Sequence, residues 1–231
     1  QSLFQKTTND EFEVIVVHDV NAAYEEHAQS LAQYGNRIKM VCYDKPFNFA
    51  DKCNVGALSS SAHVLVFLND DIEVIDPWWL DHLVGYLESS EVGAVGPVLL
   101  LDNGMVQSAG HVNQPLPANY HSGKPFGVKS FPEPLDIPCE VSGLTAACVA
   151  VRREVFDEVG GFDDENLQLA YNDIDFCLKV IESGNRVVYL PEVELYHHES
   201  KSRGSFLNVQ EVVHYKSTWR NQGDLYYNNN F

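Results

Sequence analysis

The stretch His63-Val-Leu-Val-Phe-Leu-Asn69-Asp70-Asp71 decides the fold of this chain. Its apolar run predicts a short buried strand of a parallel sheet over residues 63–68. Side chains at the carboxyl end of such a strand open into the crevice where α/β sheets bind ligands. The carboxylates of Asp70 and Asp71 repel each other, and a hard divalent cation such as Mg²⁺ or Mn²⁺ relieves that repulsion. An Asp-rich turn that only caps the strand explains the same pattern equally well.

Outward from this stretch, apolar segments alternate with amphipathic segments of helical period. Strands are predicted over residues 12–17, 38–43, 63–68, 92–101 and 187–190, and helices over 22–34, 50–61, 78–89, 154–159, 172–183 and 206–220. This alternation is typical of βαβ units, whose right-handed crossovers build a mostly parallel, Rossmann-like sheet flanked by helices. The segment 107–138 is long for a structureless loop and is therefore either functional or mobile. Small residues over 141–151 predict a close approach of the backbone to a ligand or a neighbouring element.

Length and composition indicate one globular domain over residues 1–221, followed by a polar tail over 222–231. The chain has 33 Asp and Glu against 15 Lys and Arg, a net charge of −18. This charge argues against nucleic acid and anionic lipid headgroups as nonspecific partners. Five widely spaced cysteines fit reduced core thiols of a cytosolic protein better than a disulfide framework or a zinc site. No apolar run approaches the roughly 18 residues of a membrane span, so we expect a cytoplasmic protein.

A second group of carboxylates, Asp173 and Asp175, lies at the start of the predicted helix 172–183. Carboxylates are favoured there because the first helical N–H groups and the helix dipole stabilise negative charge. One of the two can instead face the crevice as a general base.

A third group is the pair His197 and His198, which the sequence places in a loop after the last predicted strand. A neutral imidazole could complete a metal site begun by Asp71 or donate a hydrogen bond to a phosphate. An exposed loop histidine without a function explains the pair as well.

Several motifs in this order together resemble family 2 glycosyltransferases with the GT-A fold. They are Asn69-Asp-Asp71, Val159-Gly-Gly-Phe-Asp163, Asn172-Asp-Ile-Asp-Phe-Cys-Leu-Lys179 and Leu195-Tyr-His-His-Glu-Ser-Lys-Ser-Arg-Gly204, with Pro46-Phe-Asn-Phe49 and Asp102-Asn-Gly-Met-Val-Gln-Ser-Ala-Gly110 as further similar segments. The likeness extends over roughly residues 1–205. It is strongest to bacterial rhamnosyltransferases and to polysaccharide and O-antigen glycosyltransferases.

The resemblance implies a divalent cation, Mn²⁺ or Mg²⁺, on the diphosphate of a nucleotide-sugar donor. Asp71 matches the position that binds this metal, and His197 matches a histidine near the metal and diphosphate. Asp70 matches the preceding acidic position, which faces the ribose and sugar of the donor.

The nucleotide itself is expected near Asp19, which we favour over its neighbour His18 for holding the base. Asn54 lies in a further donor-side segment of the family. Cys53 stands where many relatives carry arginine, so one nucleotide contact of the family is expected to be absent.

The acceptor side of the resemblance centres on Asp173, which matches the catalytic base of the family. Gly143, Leu144 and Thr145 lie where the acceptor is expected. The mechanism implied is a single displacement with inversion, in which a UDP- or dTDP-sugar glycosylates a glycan or lipid-linked saccharide. Such a reaction in surface polysaccharide synthesis implies a cytoplasmic enzyme that can associate peripherally with the inner face of the membrane.

Two further departures from the family pattern accompany this likeness. The family opens with a strand that ends in a Pro-Thr-Tyr-Asn-like turn, whereas this sequence begins in the helix after it. We therefore expect a GT-A sheet that lacks its first strand, and a vacant strand position favours an oligomer or pairing with another segment. The other departure is Asn69, where aspartate is common in the family.

Three functions fit the sequence. The first is the active, metal-dependent inverting glycosyltransferase. The second is a non-catalytic GT-A-like domain that binds glycan or a partner protein. The third is a nucleotidyltransferase, for which we find no Gly-rich phosphate loop.

Overall fold

The computed structural model describes residues 2–20, 29–113, 116–119, 122–126, 136–198 and 208–226. The helices in these ranges are α1 (Ser2–Lys6), α2 (Phe49–Leu58), α3 (Trp79–Leu87), α4 (Arg153–Glu158), α5 (Asn172–Glu182) and α6 (Val209–Trp219), with a 3₁₀ helix at Ala32–Arg37. The strands are β1 (Val14–Asp19), β2 (Ile38–Tyr43), β3 (Val64–Leu68), β4 (Ile72–Val74), β5 (Val92–Leu100), β6 (Val106–Ser108), β7 (Val112–Asn113), β8 (Pro117–Ala118), β9 (Cys139–Glu140), β10 (Cys148–Arg152) and β11 (Arg186–His197).

Strand β5 lies at the centre of the larger sheet, and all nine of its residues are buried. One face of this sheet packs against α3 through Trp79 and Leu83. The opposite face packs against α2, α4 and α5, with Phe156 and Phe176 among the contacts. Helices on both faces explain why β5 is a continuous apolar run rather than an alternating one. The α/β architecture predicted from the sequence is therefore confirmed.

The larger sheet is mixed, although a mostly parallel sheet was expected. Its strand order is β3-β10-β5-β11-β4, with β6 on β5 and β9 on β11. Strand β5 pairs in parallel with β11, whereas β10 runs antiparallel to both of its neighbours. The small residues of segment 141–151 concealed β10. Among the described residues between β5 and β10, no helix provides the crossover that a parallel strand needs.

Strands β1 and β2 form a separate parallel pair. Helix α2 contacts both sheets. On the side of the smaller sheet, a Cβ on Gly56 would lie 3.4 Å from Val17 of β1. On the side of the larger sheet, Ala50 and Ala57 share a core cluster with Phe67 of β3. Among the described residues, no strand joins β1 to β3. The strand that the sequence analysis expects to be missing would lie at this position, between β1 and β3.

Strand β11 continues through Pro191 to His197, although the sequence predicts a strand over 187–190 only. The ladder with β5 shifts register between Leu190 and Glu194. A proline fits such an irregularity because it has no N–H group to donate to the ladder. His197 therefore ends a strand, and its predicted place in a loop is wrong.

Other boundaries also differ from the prediction. The segment 107–138 is not structureless in its described parts, since it contains β7, β8 and most of β6. The predicted helix over 22–34 lies mostly outside the described residues, and so does the tail beyond residue 226. In the described part of the tail, Asp224 accepts a hydrogen bond of 2.5 Å from the backbone N–H of Asn113.

The described structure also bears on the expected cysteine environment and on membrane spans. The thiols of Cys148 and Cys177 are buried, but Cys42 and Cys139 are exposed, so the expected core environment holds for only part of the set. Within the described ranges, no helix combines the length and apolarity needed to cross a bilayer.

Candidate functional site

The carboxyl end of β3 brings Asp71 beside His197. After β3, a turn over residues 69–71 leads into β4, and β4 pairs with β11 so that Ile72 lies opposite His197. The backbone N–H of His198 donates to the carbonyl oxygen of Asp71 at 3.0 Å. This short ladder places Oδ1 of Asp71 3.1 Å from Nε2 of His197.

The ring of His197 is oriented by Gln107 from the segment that contains β6. Nδ1 of His197 lies 2.6 Å from Oε1 of Gln107. An amide oxygen only accepts, so the proton of a neutral imidazole lies on Nδ1 and the lone pair on Nε2. Nε2 also lies 3.3 Å from the side-chain nitrogen of Asn69. The lone pair of Nε2 and the carboxylate of Asp71 thus lie side by side, with 3.1 Å between Nε2 and Oδ1.

This pair of atoms fits a divalent cation. Two cis ligands of an octahedral cation at 2.0–2.1 Å stand about 3 Å apart, close to the separation of Asp71 Oδ1 and His197 Nε2. The hydrogen bond from the other ring nitrogen to Gln107 is the support that metal-binding histidines commonly have. In the described part of the chain, no group of three or more His, Cys, Asp or Glu converges on a metal position. A cation held here would therefore need further oxygen ligands from a substrate or water, as Mg²⁺ commonly has.

His198 faces away from this pair. Its Nδ1 lies 2.5 Å from Asp102 and its Nε2 lies 3.1 Å from Glu73. Hydrogen bonds to Asp102 and then Glu73 hold the pKa of His198 above its ordinary value. The two adjacent histidines therefore differ in environment, and of their two rings only that of His197 meets the carboxylate of Asp71.

Asp173 lies at the start of α5, after Tyr171 in the left-handed conformation at φ 64°. Its Oδ1 accepts from the backbone N–H of Ile174 at 2.9 Å, and its Oδ2 accepts from that of Ala146 at 3.3 Å. These bonds orient the carboxylate of Asp173 toward the segment that precedes β10.

Asp175 has a different environment, although it is only two residues further along α5. Its side chain is buried and accepts from Nε1 of Trp219 at 2.9 Å, with Nζ of Lys179 at 3.1 Å. Residues two apart on a helix project in directions about 200° apart at 3.6 residues per turn. Asp175 therefore joins α5 to α6, whereas Asp173 faces the segment before β10.

A backbone contact connects the two groups of carboxylates. The N–H of Asn69 donates to the carbonyl oxygen of Ala147 at 3.0 Å. The neighbouring residue, Ala146, holds Asp173. The turn that carries Asp71 and the start of α5 therefore meet at residues 146–147.

The predicted acceptor-side residues lie in this connecting segment. Gly143 is buried and forms an isolated antiparallel bridge with His111. The Leu144 side chain is in the core beside Gly96, so only its backbone could contact an acceptor. Thr145 is half-buried and accepts from the N–H of Ala147 at 3.3 Å.

Gly143 allows a close approach between its segment and α5, and this gives a first testable prediction. A Cβ at this position would lie 2.6 Å from Cδ1 and 3.0 Å from Cγ2 of Ile174, whose side chain is buried. Gly143→Ala should lower the free energy of unfolding in urea by about 1–3 kcal/mol, as overpacking does.

The matched control is Gly85→Ala on α3, where an added Cβ would meet nothing within 4 Å. Alanine should raise stability there by about 0.5–1 kcal/mol because glycine is a poor helix former. Equal effects of the two substitutions would mean that the contact with Ile174 is not tight.

The predicted donor residues lie on three different elements of the fold. Asp19 ends β1, and its Oδ1 lies 2.6 Å from Nζ of Lys52. Lys52 also lies 4.8 Å from the centroid of the Phe47 ring, which is half exposed. Asp70 is exposed on the turn after β3.

Asn54 uses its side chain within the fold. Its amide nitrogen donates to Phe162 O and to Asp164 Oδ2, each at 2.9 Å, and its oxygen accepts from the N–H of Phe162 at 3.0 Å. These bonds fix the turn around residues 160–164 onto α2. The side-chain amide of Asn54 is thus used within the fold, and its predicted donor contact remains a prediction.

Helix α6 is joined to the segment before α5 by Glu211, which is buried and accepts from two backbone N–H groups. These belong to Leu169 at 2.9 Å and Ala170 at 3.2 Å. Removing the carboxylate leaves both donors without this partner, so Glu211→Ala should lower the free energy of unfolding by about 2 kcal/mol.

Glu182→Ala removes the same charge from an exposed position of α5 and is the control for Glu211→Ala. Its effect on urea unfolding should stay within about 0.5 kcal/mol. A loss at Glu211 no larger than the loss at Glu182 would show that these two hydrogen bonds contribute little.

Sequence reasoning did not single out Gln107, Lys52 or Phe47, although Phe47 and Gln107 lie in two of the segments that resemble the family. Gln107 lies 90 positions from His197 along the chain, so no local pattern connects them. Lys52 lies 33 positions after Asp19 and is one of 15 Lys and Arg residues, so its residue type alone does not connect it with Asp19.

Comparisons with known proteins bear on the family and fold of this chain. Residues 1–160 match the family model "Glycosyl transferase family 2". The uncharacterized protein y4gI of Sinorhizobium fredii is 35% identical over 208 residues, which cover 88% of this chain and 23% of that protein. The O-antigen biosynthesis protein RfbC of Myxococcus xanthus is 36% identical over 241 residues, which cover 98% of this chain and 18% of that protein. The chain thus spans less than a quarter of the length of these two relatives.

A solved structure shows the same fold at low sequence identity. GalNAc-T7 with UDP, GalNAc and Mn²⁺ superposes with a TM-score of 0.76 at 15% identity, over 96% of this chain and 44% of that chain. The structural neighbours of this chain are glycosyltransferases of the GT-A fold. With a family match over most of its length and this fold, the chain belongs to glycosyl transferase family 2.

Proposed function

We propose that this chain carries the catalytic domain of an inverting, metal-dependent glycosyltransferase. It transfers a sugar from a nucleoside diphosphate donor, a UDP- or dTDP-sugar, to a hydroxyl group of a glycan or lipid-linked saccharide. The observation that carries the proposal is the meeting of Asp71 and His197 with the segment that holds Asp173. A leaving-group site and a base on separate segments are what an in-line displacement requires.

The base in this reaction is Asp173. Its carboxylate takes the proton of the acceptor hydroxyl as that oxygen attacks the anomeric carbon of the donor sugar. The bond from the anomeric carbon to the phosphate oxygen breaks on the opposite side, and the nucleoside diphosphate leaves with the electron pair. One displacement of this kind inverts the configuration at the anomeric carbon.

Asp71 and His197 would hold Mn²⁺ or Mg²⁺, which when bound neutralises charge on the leaving diphosphate. Gln107 keeps the proton of His197 on Nδ1 and so keeps Nε2 available as a ligand. The backbone N–H of Ala146 orients Asp173 before the acceptor arrives. Asp19, with Lys52 and Phe47 beside it, is the candidate position for the nucleotide base.

The biological setting is proposed from the relatives. RfbC is an O-antigen biosynthesis protein by name, and we propose a similar place for this chain in bacterial surface polysaccharide synthesis. Lipid-linked acceptors reside in membranes, so we propose peripheral association of the whole protein with the inner face of the membrane. We also propose an oligomer or a paired segment at the position between β1 and β3.

A thermal-shift panel tests the donor half of this proposal. UDP, dTDP and GDP are each added with and without Mn²⁺, because a ligand that binds only the native state raises the melting temperature. We expect UDP or dTDP to raise it only when Mn²⁺ is present. No shift with any nucleotide would favour a non-catalytic domain that binds glycan or a partner protein.

A further inference from the structure

His111 lies beside the proposed base in a position that the reaction described above does not use. Its backbone N–H donates to the carbonyl oxygen of Gly143 at 2.8 Å. A Cβ on Gly143 would lie 3.5 Å from Cβ of His111 and 2.6 Å from Ile174, the residue after Asp173. The histidine is thus anchored by its backbone between the acceptor-side segment and the start of α5.

The ring nitrogen Nδ1 of His111 is buried and has no hydrogen-bond partner in the described part of the chain. Two polar side chains close to His111 along the chain have partners. Gln107 meets His197, and Asn113 accepts from the hydroxyl of Tyr215 at 3.0 Å. A buried polar atom without a partner costs about 1–3 kcal/mol, so its retention calls for an explanation.

Burial lowers the pKa of His111, and the negative charge of Asp173 acts in the opposite direction. Burial is the larger of the two effects, so the imidazole is neutral near pH 7. A neutral ring has one nitrogen that donates and one that accepts, which suits a sugar hydroxyl.

Orientation of Asp173 does not explain the histidine. Both carboxylate oxygens of Asp173 already accept from backbone N–H groups, those of Ile174 and Ala146. Nδ1 of His111 is therefore a buried hydrogen-bonding atom near the base for which the described part of the chain supplies no partner.

We propose that His111 binds a hydroxyl group of the acceptor saccharide next to the hydroxyl that Asp173 deprotonates. This inference rests on the proposed function and deepens it, because it assigns acceptor recognition to one side chain. A site that hydrogen-bonds a substrate hydroxyl rejects analogues that lack it, since the buried partner is then left unpaired. His111 thus selects saccharides with a hydroxyl at this position.

The test uses a panel of acceptors with the wild-type protein and Mn²⁺: methyl β-D-glucoside, methyl β-D-galactoside, methyl α-L-rhamnoside and methyl β-N-acetylglucosaminide. Release of nucleoside diphosphate from UDP- and dTDP-sugars identifies the pair that reacts. The Michaelis constant for that acceptor is then measured for His111→Leu and His111→Asn. His82→Leu, at an exposed position of α3, is the control.

We expect His111→Leu to raise the Michaelis constant for the acceptor about tenfold, which corresponds to one lost hydrogen bond. His111→Asn, which keeps a polar atom near the position of Nδ1, should recover part of this loss. Affinity for UDP with Mn²⁺ should not change. The melting temperature of His111→Leu should be equal to or above that of the wild type, because the unpaired buried nitrogen is gone.

An unchanged Michaelis constant for the acceptor in His111→Leu would overturn the inference while the proposed function stands. A fall in melting temperature of more than about 4 °C with a parallel loss of UDP affinity would also overturn it, since the role would then be structural. If the wild type transfers to no member of the panel, the proposed function fails and this inference fails with it.

Discussion

Asp71→Ala should remove Mn²⁺-dependent nucleotide binding while leaving the fold intact. Oδ1 of Asp71 is one of the two protein atoms that converge at the end of β3, and the other is Nε2 of His197. Loss of an outer-sphere partner of a bound metal costs about 10- to 100-fold in affinity, so loss of a ligand should cost at least about 100-fold. The side chain of Asp71 is partly exposed, so the free energy of unfolding should change by less than about 1 kcal/mol.

Titration calorimetry with UDP and dTDP, with and without Mn²⁺, measures this effect. Glu73→Gln is the matched control, because Glu73 is a carboxylate two residues away that pairs with Lys6 and His198. The two histidines provide a second comparison, in which His197→Gln weakens metal-dependent binding and His198→Gln does not. Survival of Mn²⁺-dependent binding in Asp71→Ala would show that the metal is held elsewhere.

Asp173→Asn should reduce turnover by about 10² to 10⁴, the usual contribution of a general base. Asparagine has nearly the same shape and keeps one oxygen to accept from Ala146 or Ile174, but it cannot take a proton at neutral pH. Affinity for the donor with Mn²⁺ should stay near the wild-type value, since the base contacts the acceptor. Steady-state release of nucleoside diphosphate gives the turnover, and calorimetry gives the donor affinity.

Asp175→Asn separates the role of the base from the role of the helix. Asp175 is buried against Trp219 and Lys179, so its replacement should lower the free energy of unfolding. Turnover of the folded fraction should remain within about tenfold of the wild type. A large loss of turnover in Asp175→Asn and a small one in Asp173→Asn would reverse the assignment of the base.

The sequence predicts the parts of the site that depend on local patterns. The apolar run before Asp70 and Asp71 correctly indicates a strand followed by carboxylates, because strand length and hydrophobic pattern are local properties. Its expected full burial and parallel pairing are wrong, since only Leu65 and Phe67 of β3 are buried and β3 pairs antiparallel with β10. The start of α5 is also predictable from its carboxylates, and the helical spacing already separates Asp173 from Asp175.

Other features depend on partners that are distant along the chain. Strand β11 continues past Pro191 because the ladder with β5 tolerates a register shift there, which no local pattern reveals. Strand β10 is rich in small residues and lacks an alternating pattern, so its antiparallel insertion between β3 and β5 was missed. The contacts of Gln107 with His197 and of His111 with Gly143 are likewise tertiary.

The most direct test of the account is the stereochemistry and metal dependence of one transfer reaction. The wild-type protein is incubated with a UDP- or dTDP-sugar and a saccharide acceptor, with Mn²⁺ or with a chelator, and the anomeric proton of the product is followed by NMR. We predict a glycoside of configuration opposite to that of the donor, formed only with the divalent cation. A product of retained configuration, or equal formation with the chelator, would contradict a single displacement at a site formed by Asp71, His197 and Asp173.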